Sequence, residues 1–141
     1  MTLRKLVDDD YQRVLEFRTA IRRFLSWSRD QATEAGITPT QHQLLLAVRG
    51  IDYPTGATIS RIAECLLLQH HSAVELIDRA VAIGLVKRLT DTADRRLVRV
   101  RLTARGERAL EQITRAHFEE LDRLAPQMTR LLAKIGPSTS G

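Results

Sequence analysis

Between Leu85 and Leu102 the hydrophobic rhythm of the chain switches from a helical period to a two-residue alternation, and helical patterns flank this stretch on both sides. Leu97 to Leu102 sets Val98, Val100 and Leu102 against Leu97, Arg99 and Arg101, the signature of a strand with one buried face. Leu85 to Thr90 reads as its partner, so the two form a hairpin. The intervening Asp91-Thr92-Ala93-Asp94-Arg95-Arg96 is longer and more charged than a tight turn requires, which predicts a projecting loop. The fold class that follows is mainly α with one small β-hairpin wing.

The helices are legible from spacing and punctuation. Val7, Tyr11, Val14, Phe17, Ile21 and Phe24 recur every three or four residues and make one helical stripe. Carried to Glu34, that helix would be roughly 40 Å long, too long for a domain of 141 residues to cover fully. Gly36 ends it, and Thr38-Pro39-Thr40-Gln41 opens a second helix as a capping box with proline in the first turn. This helix stops near Gly50, before the turn-rich Asp52-Tyr53-Pro54-Thr55-Gly56. A short third helix follows Thr58, and a fourth starts near Gln69 and ends at Gly84, with Ala73, Leu76, Ile77 and Ala80 on its inner side. Thr103 caps a last long helix whose seam runs through Leu110, Ile113, His117, Leu121, Leu124, Met128, Leu131 and Ile135, the heptad-like spacing of a helix packed along another. Pro126 should kink or break it, and the tail from Gly136 to Gly141 should fray.

Charge is the next constraint. Residues 1–84 carry ten basic and ten acidic side chains, and residues 109–141 carry four of each. The whole net charge of +5 lies in residues 85–108, where Lys87, Arg88, Arg95, Arg96, Arg99, Arg101, Arg105 and Arg108 face only Asp91, Asp94 and Glu107. A basic segment concentrated on a balanced chain is the footprint of a polyanion contact, nucleic acid first, with a solvated face as the alternative. No apolar run approaches the roughly 20 residues of a membrane span, and Asp8-Asp9-Asp10 stands where an export signal would be apolar. A cytoplasmic location without membrane association is expected. The single Cys65 excludes an internal disulfide and any multi-cysteine zinc site. The chain contains no Gly-x-Gly, Gly-x-Ser-x-Gly, His-Glu-x-x-His or P-loop, so neither catalysis nor a cofactor is expected.

Two short helices followed by a basic hairpin is the order of a winged helix-turn-helix. Thr58-Ile59-Ser60-Arg61-Ile62-Ala63-Glu64, then Val74-Glu75-Leu76-Ile77-Asp78-Arg79 and Gly84-Leu85-Val86-Lys87-Arg88, resembles the core of MarR-type transcriptional regulators. So does Asp94-Arg95-Arg96 through Val100-Arg101-Leu102-Thr103-Ala104-Arg105-Gly106, and the resemblance covers roughly residues 38–110. It implies one domain over residues 1–141, with a DNA-binding lobe at 37–102 and dimerisation helices at 3–34 and 107–135. It further implies a homodimer on a pseudo-palindromic operator in double-stranded DNA, and a repressor relieved by a small effector.

The resemblance places the fourth helix in the major groove, with Gln69, His70, His71 and Ser72 toward the bases and Glu75 and Arg79 on the same side. Arg79 could contact phosphate or pair with Asp78 or a neighbour. His70 and His71 are adjacent, so they point about 100° apart and make a poor metal site. In the wing, the family's Asp-x-Arg pair matches Asp94 and Arg96, the acid holding an arginine that reaches into the minor groove. Arg95 is a second candidate for the tip, with Lys87, Arg88, Arg99 and Arg101 nearer the flanking phosphates.

Tyr11, Phe24, Trp27 and His42 are candidate lining for an aromatic effector, against the plainer reading of ordinary core. Two departures from the family stand out: Leu67 and Gln69 occupy positions where a turn glycine and a small hydroxyl cap are common, and the chain after Leu124 is short. Cys65 is expected to be a small buried residue rather than a redox sensor. His117 is expected to be a satisfied core histidine rather than a pH switch. The alternative function is a winged-helix protein-interaction module that does not bind specific DNA.

Overall fold

The computed structural model describes residues 3–135, so the tail expected to fray lies outside the described residues. The order is α1 (Asp8–Glu34), α2 (Pro39–Gly50), β1 (Ala57–Thr58), α3 (Ile59–Leu66), α4 (His70–Ala82), β2 (Val86–Thr90), β3 (Val98–Leu102) and α5 (Ala104–Ile135). The predicted caps are present. The Thr38 hydroxyl accepts from the Gln41 amide at 3.1 Å while Gln41 Oε1 accepts from the Thr38 amide at 2.9 Å. Thr58 caps α3 through the Arg61 amide, and Thr103 caps α5 through the Gly106 amide. Each such cap is worth about 1 kcal/mol.

The hairpin is part of a three-stranded antiparallel sheet, in the order β1-β3-β2. The strand missing from the sequence reading is β1, whose two residues pair Ala57 with Val100 and Thr58 with Arg99. So short a segment shows no periodicity; it is a strand because β3 offers it an edge. β2 and β3 pair from Val86 opposite Leu102 to Thr90 opposite Val98. The core lies between this sheet, helices α2, α3 and α4 and the first part of α5, and its fully buried side chains are Leu44, Leu45, Ile62, Ile77, Leu85, Val86, Val100 and Ile113. Each contributes about 1.5–3 kcal/mol by leaving water.

Of the two outcomes expected at Pro126, the break does not occur, and α5 continues through it. The proline removes one hydrogen bond, but its ring lies on an exposed face. The helix beyond it is held along α1, where the Arg13 guanidinium donates to the Lys134 carbonyl at 3.0 Å and Leu131 is buried. The start of α1 is uncovered: Val7, Tyr11 and Val14 are 54%, 63% and 50% exposed, and Phe118 and Leu121 on α5 are exposed too. Only near its C-terminal end does α1 become buried, at Ser28 and Ala32.

There, α1, α2 and α5 meet around His117. Its Nδ1 lies 2.8 Å from the Ile113 carbonyl and its Nε2 2.8 Å from Ser28 Oγ. The carbonyl can only accept, so Nδ1 carries the proton and Ser28 donates to Nε2. Phe24, Trp27 and His42 surround the ring, with centroids at 5.6, 4.9 and 5.3 Å. His117 is therefore satisfied, as anticipated. Cys65 departs from expectation and is exposed, because α3 turns its Ile62 and Ala63 side inward.

Candidate nucleic-acid interface

Helix α4 is two-sided. Ala73, Leu76, Ile77 and Ala80 are buried, which leaves His70, His71, Glu75 and Arg79 exposed and Ser72 half-buried. The helix begins unusually, as the family departures foreshadowed. Leu67 adopts a left-handed conformation, φ 55° and ψ 41°, with its side chain 91% exposed. Gln69 is the N-cap but makes no side-chain capping bond. The first amides of α4 are thus left without a side-chain acceptor, at the end of the helix that favours anions. Among the described residues Arg79 forms no ion pair; Asp78 instead meets Arg88 of β2.

The wing loop is built on two aspartates. Asp94 Oδ1 accepts from the Arg96 amide at 3.0 Å and from Arg96 Nε at 3.1 Å, and its Oδ2 lies 3.3 Å from a terminal nitrogen of the same guanidinium. Arg96 is held in this fork with its side chain 91% exposed. Arg95, its neighbour in the loop, is exposed, as is Lys87 on β2 opposite Arg101. Asp91 Oδ1 accepts from the Ala93 and Asp94 amides at 2.8 Å each, and its Oδ2 accepts from Arg99 Nε at 2.5 Å. Both carboxyls are held below the usual carboxylate range: Asp91 first by its bond to Arg99 and then by the two amides, Asp94 first by the Arg96 side chain and then by its amide.

These contacts correct two of the anticipated roles. Arg99 does not reach outward toward phosphate. Its side chain is 20% exposed, bound to Asp91 and donating to the Gly56 carbonyl at 2.9 Å. Arg88 is committed to Asp78 and links β2 to α4. Two useful residues went unnoticed in the sequence. Asp91, followed at two and three residues by free amides, carries the pattern of an Asx turn, and this could have singled it out. Gly56 gave no such signal. Its φ of 104° favours glycine where β1 approaches β3, and a Cβ there would also crowd the Val100 carbonyl oxygen at 3.1 Å.

The candidate effector lining is only half gathered. A cavity of about 900 Å³ opens between α1 and α5, lined in part by Phe24, Trp27, Leu121, Leu124 and Met128, with Glu16, Arg23 and the Glu120–Arg123 ion pair as its charged lining. Tyr11 does not line it and stands exposed on α1. Nor does His42, which packs against His117 on α5; burial, and secondarily the neighbouring His117, push its imidazole below the usual histidine range. His70 and His71 join no metal-binding group: among the described residues no cluster of three His, Cys, Asp or Glu side chains could hold a metal ion. Among those residues, too, no helix is long and apolar enough to cross a membrane.

The helix pair α3–α4 and the wing after it can be set against known proteins. Residues 35–97 match the model of the MarR family. Over that stretch, which is under half of the chain, the sequence is similar to the MarR family. The family is one of transcription regulators rather than enzymes. The chain is also similar to YsmB of Bacillus subtilis, an uncharacterized HTH-type transcriptional regulator, at 36% identity over 64 residues. That match takes in 45% of this chain and 44% of the relative, under half its length. Among solved structures, a MarR family transcription regulator superposes with a TM-score of 0.75 at 22% identity, covering 90% of this chain and 83% of that one. A mutant of S. aureus MepR bound to an oligodeoxyribonucleotide superposes with a TM-score of 0.66 at 22% identity, covering 86% and 94%. At these identities the likeness is one of fold, and it extends over α1 and α5 as well as residues 35–97.

Proposed function

We propose that the protein is a sequence-specific DNA-binding transcriptional regulator acting as a homodimer, a repressor relieved by a small effector. Arg96 carries this reading: a guanidinium aimed by a carboxylate yet 91% exposed stands at the tip of the segment that holds the net charge. Such a group suits the narrow, strongly negative minor groove. α4 then lies in the major groove with Gln69, His70, His71 and Ser72 at the base edges, Glu75 and Arg79 beside them, and its uncapped amides toward phosphate. Lys87 and Arg95 serve the flanking backbone.

The uncovered stripe of α1 and the exposed Phe118 and Leu121 of α5 are the surfaces on which a second copy would close. Two lobes so joined would read half-sites about 34 Å apart. The cavity between α1 and α5 supports the effector: its apolar wall with Phe24 and Trp27 suits an aromatic body, and Arg23 suits an acid group.

A mobility-shift titration against DNA selected from a random pool tests the reading. The wild-type protein should bind with affinity falling steeply as salt rises, and Arg96→Ala should weaken binding with the fold intact. Undiminished affinity in Arg96→Ala would remove the wing from the interface. A protein that ignores DNA yet captures a protein partner would favour the interaction-module reading instead.

A further inference from the structure

We infer that Asp91 and Arg99, anchored on the Gly56 carbonyl, form a positioning relay that sets where Arg96 projects. The chain of bonds is continuous from the sheet to the tip of the wing. At its base, Arg99 on β3 donates to the Gly56 carbonyl at 2.9 Å, where the backbone enters β1. The same guanidinium holds Asp91 at 2.5 Å, at the start of the loop. Asp91 fixes the Asp94 amide at 2.8 Å, and Asp94 fixes both the Arg96 amide and its guanidinium. Each link carries charge on at least one partner, which makes it stronger and more directional than a neutral hydrogen bond.

The exposures follow the same order. Asp91 and Arg99 are 11% and 20% exposed, whereas Arg96 is 91% exposed. In a loop of this length without internal bonds the tip arginine would have no fixed orientation in the free protein, and ordering it on binding would cost free energy. The two inner residues remove that cost in advance, and neither is itself presented to a ligand.

This inference rests on the DNA-binding reading for its consequence but not for its existence, and two measurements separate them. The first is amide hydrogen exchange in the free protein. Asp91→Ala and Arg99→Met should both speed exchange at Asp94 and Arg96 while the unfolding midpoint of the lobe changes little. Unchanged exchange at those two amides overturns the relay whether or not DNA is bound. Arg99→Lys, which can keep the ion pair but not the second bond to Gly56, should restore part of the protection.

The second is a double-mutant cycle on the selected DNA. Arg99→Met should weaken binding about tenfold, in the range expected for losing one specific arginine contact. In an Arg96→Ala background the same change should have almost no further effect, because Arg99 acts only through Arg96. Additive losses, with the salt slope falling by about one counterion for Arg99 alone, would make Arg99 a direct phosphate contact and overturn the proposal. Failure of the wild-type chain to bind any DNA would sink the functional reading and leave the relay to the exchange result.

Discussion

Gly106→Ala should be among the most damaging single-methyl additions this chain can suffer. Gly106 is buried in the first turn of α5, and a Cβ built on it would lie 2.1 Å from the Leu85 carbonyl oxygen and 3.1 Å from its carbon. Both are backbone atoms, so no rotamer change can relieve the overlap; α5 and the start of β2 must separate by about 1 Å. That carbonyl accepts the Thr103 amide at 3.1 Å, and the neighbouring Gly84 carbonyl accepts the Thr103 hydroxyl at 2.6 Å. Leu85 and Val86 behind them are fully buried. Overpacking of this kind costs about 1–3 kcal/mol and a weakened buried hydrogen bond about 1 more, offset by about 1 kcal/mol of helix propensity. A net loss of about 1–3 kcal/mol follows. It is read from urea unfolding at fixed protein concentration as a lower midpoint with an unchanged slope. Gly50→Ala is the control, because nothing lies within 4 Å of a Cβ there and its φ is ordinary; it should be neutral or slightly stabilising. A Gly106→Ala variant as stable as the parent would refute the packing of α5 on β2 and the account of the wing's base built on it.

Other expectations follow from single features. Leu67→Gly should raise stability by about 0.5–1 kcal/mol, since it relieves a left-handed leucine without removing any buried surface; Gln69→Ser should add about 1 kcal/mol by supplying the absent cap. Chemical denaturation of each variant checks both, and a loss in either would mean the turn is held by something other than its backbone. His42 is held below the usual histidine range by burial, so the unfolded chain takes up its proton first as pH falls. Stability from this group is complete above about pH 6.5, declines as pH drops toward the folded value, and levels off below it. Denaturation midpoints between pH 7.5 and 5.5 should show that decline and should flatten in His42→Gln. Val14→Glu, on the uncovered stripe of α1, should shift the sedimentation profile from dimer to monomer; an unchanged profile would place the partner surface elsewhere.

The amino-acid sequence by itself determined the helices as far as Pro126, the two long strands and the threonine caps, because each of these depends on neighbours within a few residues. Thr38 with Gln41, Thr58 before α3 and Thr103 before Gly106 act over one turn, and the alternation at Val98, Val100 and Leu102 follows from which face is buried. The Asp94–Arg96 fork was anticipated from the resemblance to the family's wing, and its partners lie two residues apart. Tertiary structure decided what distance along the chain conceals. Arg99 looked like any exposed cation on the outer face of a strand until Gly56, 43 residues away, came within hydrogen-bond reach. Likewise, β1 exists only because β3 lies beside it, α5 runs on through Pro126 only because α1 holds its far end, and His42 meets His117 only where α2 and α5 pack together. Local bonds are written in the order of residues. Which cations stay free to meet a ligand depends on what the folded chain brings against them.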